Sequence, residues 1–198
     1  MNILIILLGC HISLLLNDRV STAIKHMFEL SAEINKPITV NWYLSGGIKN
    51  PSVTETSIST PTQASLVKES TISEAEKMQN QISSILDGVY NCSVNLKFNF
   101  NEANNCLIKS NYILDEKATN TAENFIIANK FIQQNNNEYS EIFVVTSNWH
   151  HKRAKYISDL SIPNNNFEWI LSEKHYENFA QMEHIHMRNV KSDVTNAL

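Results

Sequence analysis

The residues best suited to chemistry lie in V-T-S-N-W-H-H-K-R-A, Val145–Ala154. Two hydroxyls, Thr146 and Ser147, precede an imidazole, His150, and a guanidinium, Arg153. Residues three apart share a helical face, so a helix starting here would present His150 and Arg153 together. An imidazole titrates close to neutrality and can carry a proton. A guanidinium can fork two oxygens of a phosphate or carboxylate. The combination suits acid–base work on an anionic molecule. The plainer alternative is a capped helix with a surface Arg.

Three further clusters can be set beside it. Ser45-Gly46-Gly47 could let backbone N–H groups approach an anion closely, although a lone S-G-G is also a common tight turn. Ser73-Glu74-Ala75-Glu76 has the spacing of a capping box. Glu74, not needed for the cap, remains a candidate carboxylate favoured by the helix dipole. Asn120-Thr121-Ala122-Glu123-Asn124, with Thr119 and Glu116 just before, holds more hydrogen-bonding groups than one cap requires. Arg19 could bring a second guanidinium, or be an ordinary surface charge.

These clusters must be positioned by the elements around them. Ile3–Leu8, Ile38–Leu44, Tyr112–Leu114, Ile142–Val145 and Phe167–Leu171 are short apolar runs that read as strands, with Tyr112–Leu114 central. Between them lie helical spacings. One covers Arg19–Ile34 and ends before Pro37. One starts at Ser73 and closes at Gly88. One is marked by Phe125, Ile126, Ala128, Phe131 and Ile132, and one runs on from Lys152 through Leu160. Strands alternating with helices argue for an α/β fold with a mostly parallel sheet and helices on both faces. In such sheets ligands bind outside the carboxyl ends of the strands, where all four clusters fall. Residues 49–71 lack a period and read as a long loop. Val94–Lys109 is ambiguous, a half-buried strand or hairpin arm. A C-terminal helical extension is expected at about 177–198.

The chain has 198 residues and is expected to form a single domain. A net charge of −4, with no basic block beyond His150-His151-Lys152-Arg153, speaks against nucleic acid as a partner. Three cysteines without a C-x-x-C pair favour a reducing, cytoplasmic setting. The N-terminal apolar stretch is broken by Gly9, Cys10, His11 and Ser13. It lacks a basic flank and is far shorter than the roughly 20 residues of a membrane span. A first strand is the favoured reading, and a secretion or lipidation signal the alternative. His184 and His186, two apart on an expected helix, share no face for a metal, so no metal ligands are assigned. Neither Cys10 nor Cys106 has a placed partner as a nucleophile. Trp42, Trp149 and Trp169 read as packing residues.

Taken in order, Leu7–Cys10, Asn17–Arg19, Leu44–Gly47, Ser73–Met78, Asn120–Asn124 and Val145–Ala154 resemble the motifs of the YdcF-like family, the SanA/ElyC-like domain of unknown function. The resemblance spans roughly residues 3–160. It implies a Rossmann-like three-layer sandwich and places Gly46, Gly47, Glu74, Asn120, Thr121, Glu123, Asn124, His150 and Arg153 at motif positions. It supplies no reaction, and it leaves S-adenosylmethionine or a divalent metal as open cofactors. Membrane-anchored members carry a longer hydrophobic N-terminus, which implies no integral membrane segment here.

The joint expectation is a site for a phosphorylated or nucleotide-like anion. His150, Glu74 and Glu123 are its candidate catalytic groups. Arg19, Ser45, Gly46, Gly47, Asn120, Thr121, Asn124, Thr146, Ser147 and Arg153 are its candidate ligand contacts. Phosphoester or pyrophosphate hydrolysis or transfer would suit them. A non-catalytic S-adenosylmethionine or nucleotide module is the alternative.

Overall fold

The computed structural model describes residues 1–10, 12–47, 72–95, 108–135, 138–173, 183 and 185–198, with only the backbone at 89–95. The expected loop at 49–71, most of the ambiguous segment at 94–109, His184 and much of the stretch at 177–190 lie outside these residues.

Five strands form one parallel sheet: β1 (Asn2–Leu8), β2 (Ile38–Ser45), β3 (Ile108–Asp115), β4 (Glu141–Ser147) and β5 (Glu168–Ser172), in the order β3-β2-β1-β4-β5. The helices among the described residues include α1 (Ser13–Ile34), α2 (Glu74–Asn95), α3 (Thr121–Gln134), α4 (Asn148–Ser161) and α5 (Val190–Ala197). The protein is therefore a Rossmann-like three-layer α/β sandwich.

The central strand explains the layering. Residues Ile3–Leu8 are at most 1% exposed, because both faces of β1 are covered. Successive side chains point to opposite faces. Ile3, Ile5 and Leu7 join a core built with Leu15, Val20 and Met27 of α1 and Met78 and Ile82 of α2. Leu4, Ile6 and Leu8 join a second core with Phe125 of α3, Ala154 and Ile157 of α4 and Val190 of α5. Each fully buried Ile or Leu contributes about 1.5–3 kcal/mol of burial free energy. Trp42, on β2, is fully buried and its indole N–H donates to Ser110 Oγ at 3.0 Å.

Three details differ from the sequence reading. The first helix, read over Arg19–Ile34, starts earlier, at Ser13, and takes in Leu14–Leu16. Gly88 does not close α2, which continues to Asn95. The apolar Tyr112–Leu114 run is on an edge strand among the described residues, with Leu114 38% exposed. An apolar run shows that a strand has a partner layer, but not where it sits in the sheet. No described helix is long and apolar enough to cross a membrane.

From β1 the chain builds outward through β2 and β3, then returns to place β4 on the other side of β1. That reversal opens a crevice at the carboxyl ends of β1 and β4. The predicted clusters converge around it.

Candidate functional site

Arg19 occupies a place on the buried stripe of α1 between Leu16 and Val20, and is only 2% exposed. Its Nε donates to Ser147 Oγ at 2.9 Å, and its Nη1 to the carbonyls of Leu8 at 2.8 Å and Gly9 at 2.9 Å. The guanidinium thus ties α1 to the ends of β1 and β4. Burial lowers its pKa, while the nearby charges of Cys10, Glu74 and Glu183 act in the opposite sense. Arg19 was expected as a ligand clamp, but these bonds make it an internal brace. Ser147 stands at the N-cap of α4 without capping it. Its hydroxyl accepts from Arg19 and lies 3.4 Å from Ser172 Oγ.

The glycine loop also works differently from the expectation. Gly46 N–H donates to the Asp115 carbonyl at 2.9 Å and Gly47 N–H to the Ala118 carbonyl at 2.8 Å. Both donors are therefore taken up by the β3–α3 loop and do not face an anion. What the glycines provide is room. A Cβ on Gly46 would meet Glu74 Oε2 at 2.7 Å and Glu74 Cβ at 2.8 Å, and one on Gly47 would meet the Glu116 carbonyl at 2.8 Å. A Cβ on Gly9 would overlap Glu74 Oε2 and come 2.9 Å from the Ser45 carbonyl. Glu74, 6% exposed, is wedged between two strand-end glycines.

Around this wedge, Ser45 Oγ donates to Asp115 Oδ2 at 2.6 Å and lies 3.0 Å from the Asn124 amide. The Asn124 atom facing it is Oδ1, so the single Ser45 hydroxyl proton lies between two acceptors, with the shorter bond to Asp115. Asp115 Oδ1 accepts from the N–H groups of Lys117 at 3.1 Å and Ala118 at 3.3 Å. Burial, then the Asp115 charge and a hydrogen bond to it, push the Tyr43 phenol well above its ordinary range. Asp115 is absent from the sequence candidates because the strand reads as ending at Leu114, which leaves Asp115 as one more polar residue after it, whereas β3 runs on to include it. Ser73 Oγ accepts from Glu76 N–H at 3.0 Å, as a cap should, and donates to Glu116 Oε1 at 2.6 Å.

The start of α3 is a reciprocal cap. Asn120 Oδ1 accepts from Glu123 N–H at 3.0 Å, and Glu123 Oε2 accepts from Thr119 N–H at 2.7 Å and Thr119 Oγ1 at 2.9 Å. This is capping-box geometry one residue out of register. Asn120 Oδ1 and Glu123 Oε2 are engaged in the cap.

The remaining candidates meet. His150, 5% exposed, has Nδ1 2.7 Å from Thr146 Oγ1 and Nε2 3.4 Å from Thr121 Oγ1. Arg153 Nη1 lies 3.5 Å from that same Thr121 hydroxyl. Two residues of α4 and the first residue of α3 therefore share one locus. Arg153 also grips Glu183 with two bonds, Nε to Oε2 at 2.7 Å and Nη2 to Oε1 at 3.0 Å. Glu183 is 8% exposed, and no sequence signal pointed to it because it is remote from every strand end.

Among the described residues, no group of three or more His, Cys, Asp or Glu could hold a metal ion. A groove of about 270 Å³ lies at the opposite, amino edge of the sheet, lined by Tyr139, Ile142, Phe167 and Glu168, among others. It touches none of the residues above.

Fold and site together define a Rossmann-like α/β protein with a largely buried polar cluster at its switch point. Compared with protein-family models, curated proteins and solved structures, the chain matches none.

Proposed function

We propose that the chain is a YdcF-like domain that binds a phosphorylated or nucleotide-like anion at the carboxyl edge of its sheet. Arg153 is the anion contact, Thr121 a hydroxyl contact and His150 the proton carrier. One observation carries this reading: Arg153 and His150 of α4 converge on Thr121 at the start of α3, with Arg153 already gripping a carboxylate through two bonds. Phosphoester or pyrophosphate hydrolysis or transfer is the chemistry these groups suit, because an imidazole beside a guanidinium can move a proton while the anion is held.

A second reading, a non-catalytic S-adenosylmethionine or nucleotide module, is favoured by the 5% exposure of His150 and by Glu123 being engaged in a helix cap. Calorimetric titration with pyrophosphate, nucleotides and S-adenosylmethionine, run beside hydrolysis of an aryl phosphate, tests both. Binding lost in Arg153→Ala supports the anion site. Turnover lost in His150→Ala selects the catalytic form, and binding without turnover selects the module. No binding by any of these ligands refutes both.

A further inference from the structure

We infer that Glu183 is the specificity-determining residue of this site, an internal carboxylate that admits phosphate-type dianions to Arg153 and keeps monocarboxylates out. The inference rests on the anion-site reading above and adds the class of anion.

The argument starts from the ion pair. Both Glu183 oxygens are bound by Arg153, at 2.7 and 3.0 Å. This is the paired geometry by which a guanidinium holds two oxygens of a carboxylate or phosphate. The two side chains are 16% and 11% exposed, so water screens the pair only weakly. Glu183 thus occupies the position that two oxygens of an external anion would take. Its charge also reaches the buried Arg19.

An incoming monocarboxylate would exchange one paired carboxylate for another and gain nothing. It would also compete with a group tethered to the same chain, whose effective concentration is of millimolar order or above. A phosphate dianion differs in two ways. It brings a second negative charge to a place influenced by two guanidinium groups. It also brings further oxygens, and the Thr121 hydroxyl, 3.5 Å from Arg153 Nη1 and 3.4 Å from His150 Nε2, is the nearest donor for one of them. The exchange requires only that the Glu183 side chain rotate away from Arg153.

The test titrates inorganic phosphate, pyrophosphate and acetate into the full chain, its Glu183→Gln variant and its Arg153→Ala variant. If Glu183 holds Arg153 about nine-tenths of the time, removing its charge tightens phosphate binding about tenfold. Acetate, silent on the parent protein, then becomes a measurable ligand of Glu183→Gln, and Arg153→Ala binds neither. Equal phosphate binding by the parent and Glu183→Gln, with acetate still excluded, overturns the role of Glu183 while leaving the anion site standing. Absence of phosphate and pyrophosphate binding in both proteins overturns the anion site as well. Should Glu183→Gln not fold, the Arg153 Nε–H resonance of the parent protein gives the answer. It must shift with phosphate and stay in place with acetate, and any other pattern overturns the inference.

Discussion

Replacing Gly46 by alanine should unseat the start of α2, because the added methyl has no free space. Its Cβ would lie 2.7 Å from Glu74 Oε2 and 2.8 Å from Glu74 Cβ. The oxygen can swing aside, but the Cβ is fixed to the first turn of α2. That turn is hydrogen-bonded to the same loop, Ala75 N–H to the Gly46 carbonyl at 3.0 Å and Glu74 N–H to the Gly47 carbonyl at 3.4 Å. Overpacking of this kind costs about 1–3 kcal/mol. Stretching the Ala75 bond costs up to about 1 kcal/mol more. The sum, roughly 1–4 kcal/mol, corresponds to a fall in Tm of about 2–16 °C for a chain of this size. Gly88→Ala is the matched control. Gly88 lies inside α2, and its Cβ would meet nothing within 4 Å. It should gain about 0.5–1 kcal/mol from helix propensity. Adding Glu74→Ala to Gly46→Ala should recover only part of the loss, because it removes the oxygen contact and leaves the Cβ contact. Thermal and urea unfolding of the four proteins measures all of this. Gly46→Ala within about 0.5 kcal/mol of the parent, the scatter of an ordinary surface change, would refute the close-approach account.

Arg19→Ala should cost about 3–5 kcal/mol in urea unfolding with or without ligand, because it removes three bonds, two buried and one partly buried, and leaves the Glu74 and Glu183 charges less compensated. Asp115→Asn should cost about 1.5–3 kcal/mol by the same measurement, since a charged acceptor for Ser45 and two loop N–H groups becomes neutral. His151 has its pKa lowered by burial and then by Lys155, from an ordinary value of 6.5. The unfolded chain therefore binds more protons than the folded one just below that value, so this contribution to stability is present above pH 6.5 and fades as pH falls through the folded value. A Tm profile from pH 5 to 7.5 should accordingly be flatter for His151→Gln than for the parent.

The strands and the α/β class were readable because burial on both faces demands continuous apolar runs, as in Ile3–Leu8, and helices demand a 3.6-residue spacing. The convergence of His150 and Arg153 was readable for a similar reason, since it depends on local spacing and on the strand-to-helix junction alone. What could not be read depends on contacts far apart in the chain. Nothing near Gly46 and Gly47 shows that their N–H groups meet the carbonyls of Asp115 and Ala118. Nothing near Arg19 shows that Leu8, Gly9 and Ser147 surround it. Glu183 belongs to the same group, reaching Arg153 from 30 residues away.

The polar residues gathered at the carboxyl edge therefore divide by what they touch. Arg19, Ser45, Asp115, Asn120, Glu123 and Ser147 hold backbone or one another, and their bonds join α1, β2, β3, α3 and β4 around the crevice. Their number has a physical cause. Every strand end leaves carbonyls and every helix start leaves N–H groups, and where several meet out of reach of water each needs a partner. A polar cluster at a switch point is thus required by the fold before any ligand is considered. The discriminating mark is a charged group held by another side chain and not by backbone. Arg153, paired with Glu183 beside a hydroxyl and an imidazole, has that mark, and Arg19 with its two carbonyls does not. Losing the Glu183 carboxylate takes no backbone partner from Arg153, whereas removing the partners of Arg19 would open the ends of β1 and β4.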